Sequence, residues 1–594
     1  MELDNPSFDV IVVGCGLPES IAAASLAHAG KTVLHVDQND YYGADHASLT
    51  LEELLKWACQ RKESQLNDNK NGGVSIYLKN QCRKFSQLEW MFASDNISGT
   101  SDPDQLDIPS LLQKVSRSFS LSLYPLLIPS VSPLIEMLVA SGVSRYSTFR
   151  LLDETSVYVP MEGIAKKVPG GKEDVFKDRS INLVEKRRLM KILMWIMGDF
   201  ESSPELAGKE TEPFPSFLKT VFSLSEEMAS SLAYALAHCQ SPSDPTLPSL
   251  LRVRKYLRSV GKYGNSPFLI GQYGGAGEVA QGFCRLSAVQ GTIYVLSHPI
   301  ESINYPSTIS TDPTLTPSTD NMTIKVQIQG FAHPVESSHL IVSQDYLPAP
   351  VSDRELNTDT GEKWVRCISI LNKFPALLRR PLQANDVKGE QPEGVEHIQQ
   401  KEGEDERDTA LVVFPPGSLG SDVQGSVSAL LMGEGTGSCP KGYYVLYLTT
   451  LLPPTASSSP SPLPQFLTTL TGPDHPLFQL VYTETIPSGE TESPVPGRVH
   501  IPRSLVMVKE GSDPVARSEA SGGGKSWTEE ATRSAEEGER LFWEVFGKKG
   551  QLDSTPSNSE DEGKGEKEGQ DQKESRGFFW PRAEFSGDDD DDGF

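Results

Sequence analysis

Cysteine is sparse and unpatterned in this chain: there are seven in 594 residues, at positions 15, 59, 82, 239, 284, 367 and 439, odd in number and never spaced Cys-x-x-Cys. Neither a disulfide framework nor a zinc site is indicated, and a reducing, intracellular setting is expected. Long apolar runs are missing as well. None reaches the roughly 18 residues that span a bilayer, and the first residues lack a basic start followed by an apolar stretch, so a soluble chain without a secretory leader is expected. Positive charge is in short supply, with 54 Lys and Arg against 80 Asp and Glu and a formal net charge of −26. Such a chain repels nucleic acid and anionic membrane surfaces and suits a partner with a basic patch. There is no Gly-x-Ser-x-Gly nucleophile elbow and no metal-ligand cluster in the sequence, so enzymatic constellations are absent.

What is present begins at Phe8. An apolar strand runs into Gly14 and Gly16, a helical stretch follows over 21–29, and a second strand over 31–36 ends on Asp37. This is the βαβ geometry of a dinucleotide-binding domain, with an acid about 20 residues beyond the glycines. The third glycine, however, is replaced by Glu19. Its side chain stands where helix and strand should pack closely, and its carboxylate sits in the first helical turn, where it satisfies the dipole that would otherwise attract phosphate. The degenerate loop Gly14, Gly16, Glu19 therefore predicts the fold without a bound cofactor. His35 reads as a packed structural histidine and Cys15 as a small loop residue with no neighbouring base.

The length suggests two to four domains. The pattern predicts an α/β host, an FAD/NAD(P)-binding-like domain built discontinuously from 1–110 and 240–547 with antiparallel additions, and a mainly helical domain inserted at 111–239. Helical spacing covers 111–123, 133–141, 182–200, 215–221 and 225–237, an amphipathic helix lies around 51–59, and the polar stretch 60–73 reads as a surface loop. A hairpin-like passage spans 151–168, and short strands are expected at 292–297, 322–327, 338–342, 364–371, 410–414 and 442–448. Segments 388–408 and 453–464 read as flexible insertions. A terminal helix is expected over 526–546 with Ser526 as a possible N-cap, and 548–594 as an acidic, disordered tail ending in five aspartates, Asp588 to Asp592. Leu134, Ile135, Leu138 and Val139 fall at helical spacing, which is more often core than cargo groove.

Four separated blocks, in order, resemble the GDP-dissociation inhibitor and Rab escort protein superfamily, which carries prenylated or prenylatable Rab GTPases. They are 8–20 with 32–37 and Tyr41-Tyr42-Gly43, then Val143-Ser144-Arg145-Tyr146 and Glu185-Lys186-Arg187-Arg188, then 263–269, then 277–288. Within the superfamily the run Leu17-Pro18-Glu19-Ser20-Ile21 is similar to the escort branch, as are Cys284 and Ile293. The most telling piece is Asp174-Val175-Phe176, followed by Arg187 eleven residues after Phe176. Gly511-Ser512-Asp513 resembles a diverged escort element.

The resemblance implies a non-catalytic accessory component: it binds GDP-bound Rab, presents the Rab C-terminus to the α/β heterodimer of Rab geranylgeranyltransferase, holds the geranylgeranyl lipid of its cargo, and makes transient membrane contact from the cytosol, without nucleic acid, metal or cofactor. By the same resemblance, Tyr42, Glu278, Gln281 and Arg285 form the Rab-binding platform, where a phenol, an acid, an amide and a guanidinium offer directed hydrogen bonds. Phe176 and Arg187 dock on the transferase α-subunit. The bland alternative for Phe176 is a hydrophobic staple onto the helix after Asn182. Two other readings remain at this stage, a recycling inhibitor that extracts prenylated Rabs and a flavin-dependent oxidoreductase.

Overall fold

The computed structural model describes residues 6–67, 84–93, 108–168, 181–305, 323–343, 346, 357–379, 407–420, 423–452, 461–488, 497–502 and 526–547. Phe176, residues 511–513, most of the two expected insertions and the acidic tail lie outside the described residues.

The βαβ start forms as expected. Strand Ser7–Val13 pairs in parallel with Val33–Val36, and helix α1 (Leu17–His28) joins them, beginning four residues earlier than the apolar spacing suggests because Gly16 and Pro18 set up its first turn. The sheet runs in the order Ile293–Val295, Val33–Val36, Ser7–Val13, Val335–Val342, Ile324–Ile328, Ile300–Asn304. Its first four strands are parallel and its last two antiparallel. The far edge of Val335–Val342 is shared, since Ile324–Ile328 takes its first half and the short parallel strand Val499–His500 takes its second. The central strand is apolar on both faces, as a parallel sheet covered by helices requires.

Helix α2 (Leu51–Asn67) corrects the first part of the loop expected over 60–73: the helix continues into the polar stretch as far as Asn67. The Arg61 guanidinium lies 4.4 Å from the ring centre of Trp57, one turn back, and 5.1 Å from that of Phe85, so a residue read as solvated loop covers an aromatic surface. The helix expected over 111–123 is a second correction. That segment holds only the short turns Ser110–Gln113 and Ser116–Ser118 before Leu121–Ser122 enters a two-stranded ladder with Ser48–Leu49. Tertiary pairing outweighs a helical pattern broken by serines.

Helix α3 (Pro133–Ser141) buries Leu134, Ile135 and Leu138 against α1 and the terminal helix, and of the four residues named from its spacing leaves Val139 exposed. These residues are core. Helix α4 (Leu183–Met197) is capped by Asn182, whose side-chain oxygen accepts from the Glu185 N–H at 2.9 Å. It packs with α5 (Phe214–Phe222), the α-to-π segment Glu226–Ser230 and Ser231–Leu236, and α6 (Thr246–Ser259) around Leu189, Ile192, Ile196, Phe217, Leu250 and Val253. The helical assembly thus extends past the expected boundary at 239.

The second large sheet has the order Lys84–Phe92, Phe478–Ser488, Asn357–Leu371, Tyr444–Leu452, Val427–Met432, Thr409–Phe414, Glu154–Val159, Ile164–Lys167. It is antiparallel except where Thr409–Phe414 meets Glu154–Val159. The end of the first expected insertion is built in: Arg407 pairs with Glu154 at 3.1 Å and Asp408 with Arg150 at 3.1 Å. Helix α7 (Gly277–Val289) follows strand Phe268–Gly271, and α8 (Leu463–Thr471) begins inside the segment read as a flexible insertion.

The terminal helix forms as expected, as α9 (Glu530–Phe546), and docks on α1, although it starts later, with the Ser526 carbonyl rather than its hydroxyl receiving the Glu529 and Glu530 N–H groups at 3.2 Å. Gly538 lies so close that a Cβ there would stand 2.6 Å from the Ile21 side chain. Across its polar side, Glu544 binds Arg540 and His500, the latter at 3.1 Å. Burial opposes ionisation of Glu544, but these partners outweigh it and hold the carboxyl at about 2. Because the folded value lies below the ordinary 4.5, the stabilisation is present above about pH 4.5 and is lost as pH falls towards 2. With the side chain 37% exposed, screening limits it to ~1 kcal/mol. We expect Glu544→Gln to melt below the parent at neutral pH and the gap to narrow progressively on acidification below about pH 4.5; a gap independent of pH would contradict this.

Candidate functional site

The glycine loop is built for a nucleotide and closed to one. Gly14 has φ +102°, a left-handed conformation that a side chain would strain, and its amide donates to the Val36 carbonyl at 2.8 Å. Glu19, buried in the first turn of α1, folds back over the loop: a Cβ on Gly16 would stand 2.5 Å from its Oε2. The carboxylate thus occupies the positive helix end where pyrophosphate would bind. Asp37, the acid that would meet a ribose, is fully engaged inside the protein. Its Oδ2 accepts from the Cys15 N–H at 2.6 Å, and its Oδ1 from the Asn39 backbone and side-chain amides at 2.8 and 2.9 Å. Burial raises the Asp37 carboxyl to about 6. The Tyr346 ring covers Gly14 from the other side, 3.5 Å from where a Cβ would be. These residues do not fit a dinucleotide.

His35 is wholly buried, with Nε2 bound to the Gly14 carbonyl at 2.7 Å; burial brings it down to about 4, so it is neutral and structural at pH 7. Cys15 differs from its reading as an isolated loop residue, because the chain folds Cys284 of α7 against it; the hydrogen bond to Cys284, and then burial, push the Cys15 thiol well up.

On the outer side of α7 the structure brings the platform residues together. Glu278, Gln281 and Arg285 sit at i, i+3 and i+7, one face of the helix. Gln281 and Arg285 are exposed, and Glu278 is half-buried, its carboxyl raised by burial. The loop carrying Tyr42 packs on the start of the same helix: a Cβ on Gly43 would stand 3.0 Å from Gly277 Cα. Tyr42 is half-buried and meets Tyr294 edge-on, ring centres 5.7 Å apart. Burial raises the Tyr42 phenol, so its O–H is a donor at pH 7. Close packing at Gly277 and Gly282, where an added Cβ would lie 2.8 Å from the His46 carbonyl and 2.7 Å from Val143, sets α7 into the loop and the turn behind it. Sequence reasoning did not assign Tyr146 a site role, although it lies in a matched block. It is exposed, and the Arg285 guanidinium stacks 4.7 Å from its ring centre.

Arg187 lies elsewhere, exposed on α4, while Phe176 is outside the described residues. Around Arg187 runs an apolar stripe that sequence reasoning did not single out. Leu183, Met194 and Met197, at 63%, 64% and 45% exposure, share its face at i−4, i+7 and i+10. These exposed apolar residues lie beside two exposed cations of the same helix face, Arg187 and Lys191, and leave apolar area unburied on a well-capped helix. No helix among the described residues is long and apolar enough to cross a membrane.

The family model described as GDP dissociation inhibitor matches residues 3–81 and 104–373. Two curated relatives, both named Rab proteins geranylgeranyltransferase component A, are 27% identical over 445 residues in Candida albicans and 29% identical over 443 residues in Saccharomyces cerevisiae. The matches take in 75% and 74% of this chain, which spans 59% and 61% of the length of those relatives. Among solved structures, a Rab GDI from Plasmodium falciparum superposes with a TM-score of 0.52 at 18% identity, covering 83% of this chain and 92% of that one. It shares the fold.

Proposed function

The chain belongs to the GDP dissociation inhibitor family, and from that premise we propose that it is a Rab escort: a non-catalytic carrier that binds an unprenylated, GDP-bound Rab GTPase and offers its C-terminus to Rab geranylgeranyltransferase. The observation that carries this reading is the presence of two separate faces, a polar platform on α7 with Tyr42 and an apolar stripe around Arg187 on α4. A carrier for one protein needs one face, whereas an adaptor between two proteins needs two.

On this reading Tyr42, Glu278, Gln281 and Arg285 hold the GTPase surface by directed hydrogen bonds. Preference for the GDP-state switch regions would slow nucleotide release, because a binder shifts an equilibrium only by its differential affinity. Phe176, Arg187 and the exposed residues of α4 dock the transferase. The Rab tail is then presented at high effective concentration, so the catalytic subunits need little recognition of tail sequence. The carrier works in the cytosol and touches membranes only to unload. Its net charge of −26 gives it no attraction of its own for an anionic leaflet, so the lipid of the cargo decides delivery.

The test is a reconstituted reaction with purified Rab, transferase heterodimer and prenyl donor, with and without this chain. Prenylation that depends on the chain is the expected result. If the chain removes prenylated Rab from membranes but leaves the transferase inactive, it is a recycling inhibitor instead. A flavin absorption band in the purified protein would favour the oxidoreductase.

A further inference from the structure

Behind the platform, on the inward side of α7, three soft donors from three elements converge. Cys15 ends the glycine loop, His35 lies on strand Val33–Val36, and Cys284 lies on α7, far away in the sequence. All three are buried, with relative exposures of 0%, 0% and 2%. One donor atom from each lies within 4.8 Å of the other two.

The histidine is already set for ligation. A carbonyl can only accept, so the 2.7 Å contact with Gly14 fixes the proton on Nε2 and leaves the lone pair on Nδ1. That Nδ1 is buried and has no hydrogen-bond partner. A backbone carbonyl on the far nitrogen is the usual outer contact that orients a metal-bound imidazole. The sulfur of Cys284 lies 3.2 Å from the Ser20 hydroxyl, which holds it in place on the same wall.

We propose that Cys15, His35 and Cys284 form a buried binding site for a thiophilic d10 divalent cation, zinc above all, which ties the glycine loop and the second strand to the helix that carries the platform. Sulfur and imidazole together select zinc or copper(I) over harder ions. Charge separates these two. Two thiolates neutralise a divalent ion, whereas copper(I) would leave a net negative charge beside buried Asp37, and uncompensated buried charge is costly. Zinc bonds of about 2.3 Å to sulfur and about 2.0–2.1 Å to nitrogen would draw the donors slightly together. Binding replaces both thiol protons and releases two to solvent, so affinity rises with pH. The Ser20 hydroxyl, against Cys284, is a further oxygen on the same wall.

The test uses the full chain, reduced, stripped with a chelator and titrated with Co2+ as the probe, with zinc content measured on separate samples. One equivalent of cobalt with thiolate-to-metal absorption in the near ultraviolet, displaced by zinc, is expected. Cys284→Ser and Cys15→Ser should each weaken binding by more than the roughly 10–100-fold typical of losing an outer contact. Cys367→Ser, in the antiparallel sheet, should leave it unchanged. The parent protein decides the matter even if a variant fails to fold. No thiolate–cobalt band in the parent overturns the proposal, as does a metal retained by both serine variants. A Cys15–Cys284 disulfide in freshly purified protein that takes up no metal also overturns it.

Discussion

Arg285→Ala should lower affinity for GDP-bound Rab by about 30- to 1,000-fold, the ~2–4 kcal/mol typical of an arginine at the centre of an interface. The same variant should leave the melting temperature nearly unchanged, because Arg285 is exposed and its side chain rests on Tyr146, itself exposed. Tyr42→Phe should be milder and should isolate the phenol, since the ring keeps its edge contact with Tyr294. The informative comparison is with the other face. Arg187→Ala combined with Met194→Ala on α4 should leave Rab affinity intact and abolish chain-dependent prenylation. Isothermal titration with purified Rab and with the transferase heterodimer reads the two separately. If Arg285→Ala binds Rab normally, the platform has been misplaced. If the α4 pair prenylates normally, the two-faced adaptor is wrong.

The part of this legible in the sequence was the part written in local pattern. Strand, loop, helix and strand from Ser7 to Val36 follow from short-range periodicity and two glycines, and the Glu19 substitution foretold a loop turned inward on itself. Arg285 and Gln281 were named through resemblance, and their helix itself went unread as a helix. Gly277 and Gly282 weaken its propensity, and the reason they are small is tertiary: the His46 carbonyl and Val143 leave no room for larger residues. The α4 stripe was hidden for a different reason. Met194 and Met197 look like core by spacing, and only the packing of α5 and α6 on the other side of α4 shows that they face outward. Cys15, His35 and Cys284 are joined by topology alone, which no spacing rule encodes. Helix α8 shows a related limit, since a Pro/Ser-rich approach conceals the apolar face of Leu463, Phe466, Leu467 and Leu470 that follows it.

The largest loss of stability is expected from splitting the ion pair at the centre of the antiparallel sheet. Arg366 and Glu484 sit on the adjoining strands Asn357–Leu371 and Phe478–Ser488, 3.2 Å apart, with their side chains 3% and 0% exposed. Tyr124 donates its O–H to the same carboxylate while its ring lies 4.8 Å from the guanidinium, and Thr449 takes another guanidinium hydrogen at 3.4 Å. Burial alone would push Arg366 to release its proton; the Glu484 charge holds it ionised. Glu484→Ala leaves that cation buried and uncompensated, at a cost of ~3–5 kcal/mol. At ~2–4 °C per kcal/mol this lowers the melting temperature by roughly 10 °C. The double variant Arg366→Met/Glu484→Leu removes both charges and should lose much less than either single variant, giving a large coupling energy in a double-mutant cycle. The consequence should reach the platform. Tyr124 belongs to the segment in which Leu126 N–H binds the Gly274 carbonyl at 3.0 Å and Pro125 bridges to Gly275, the turn that leads into Gly277 and Glu278. Glu484→Ala should therefore weaken Rab binding as well, while the charge-free double variant, which frees the Tyr124 hydroxyl but keeps the sheet packed, should recover part of it. Singles that melt within a degree or two of the parent would show that the pair is not the support this geometry makes it.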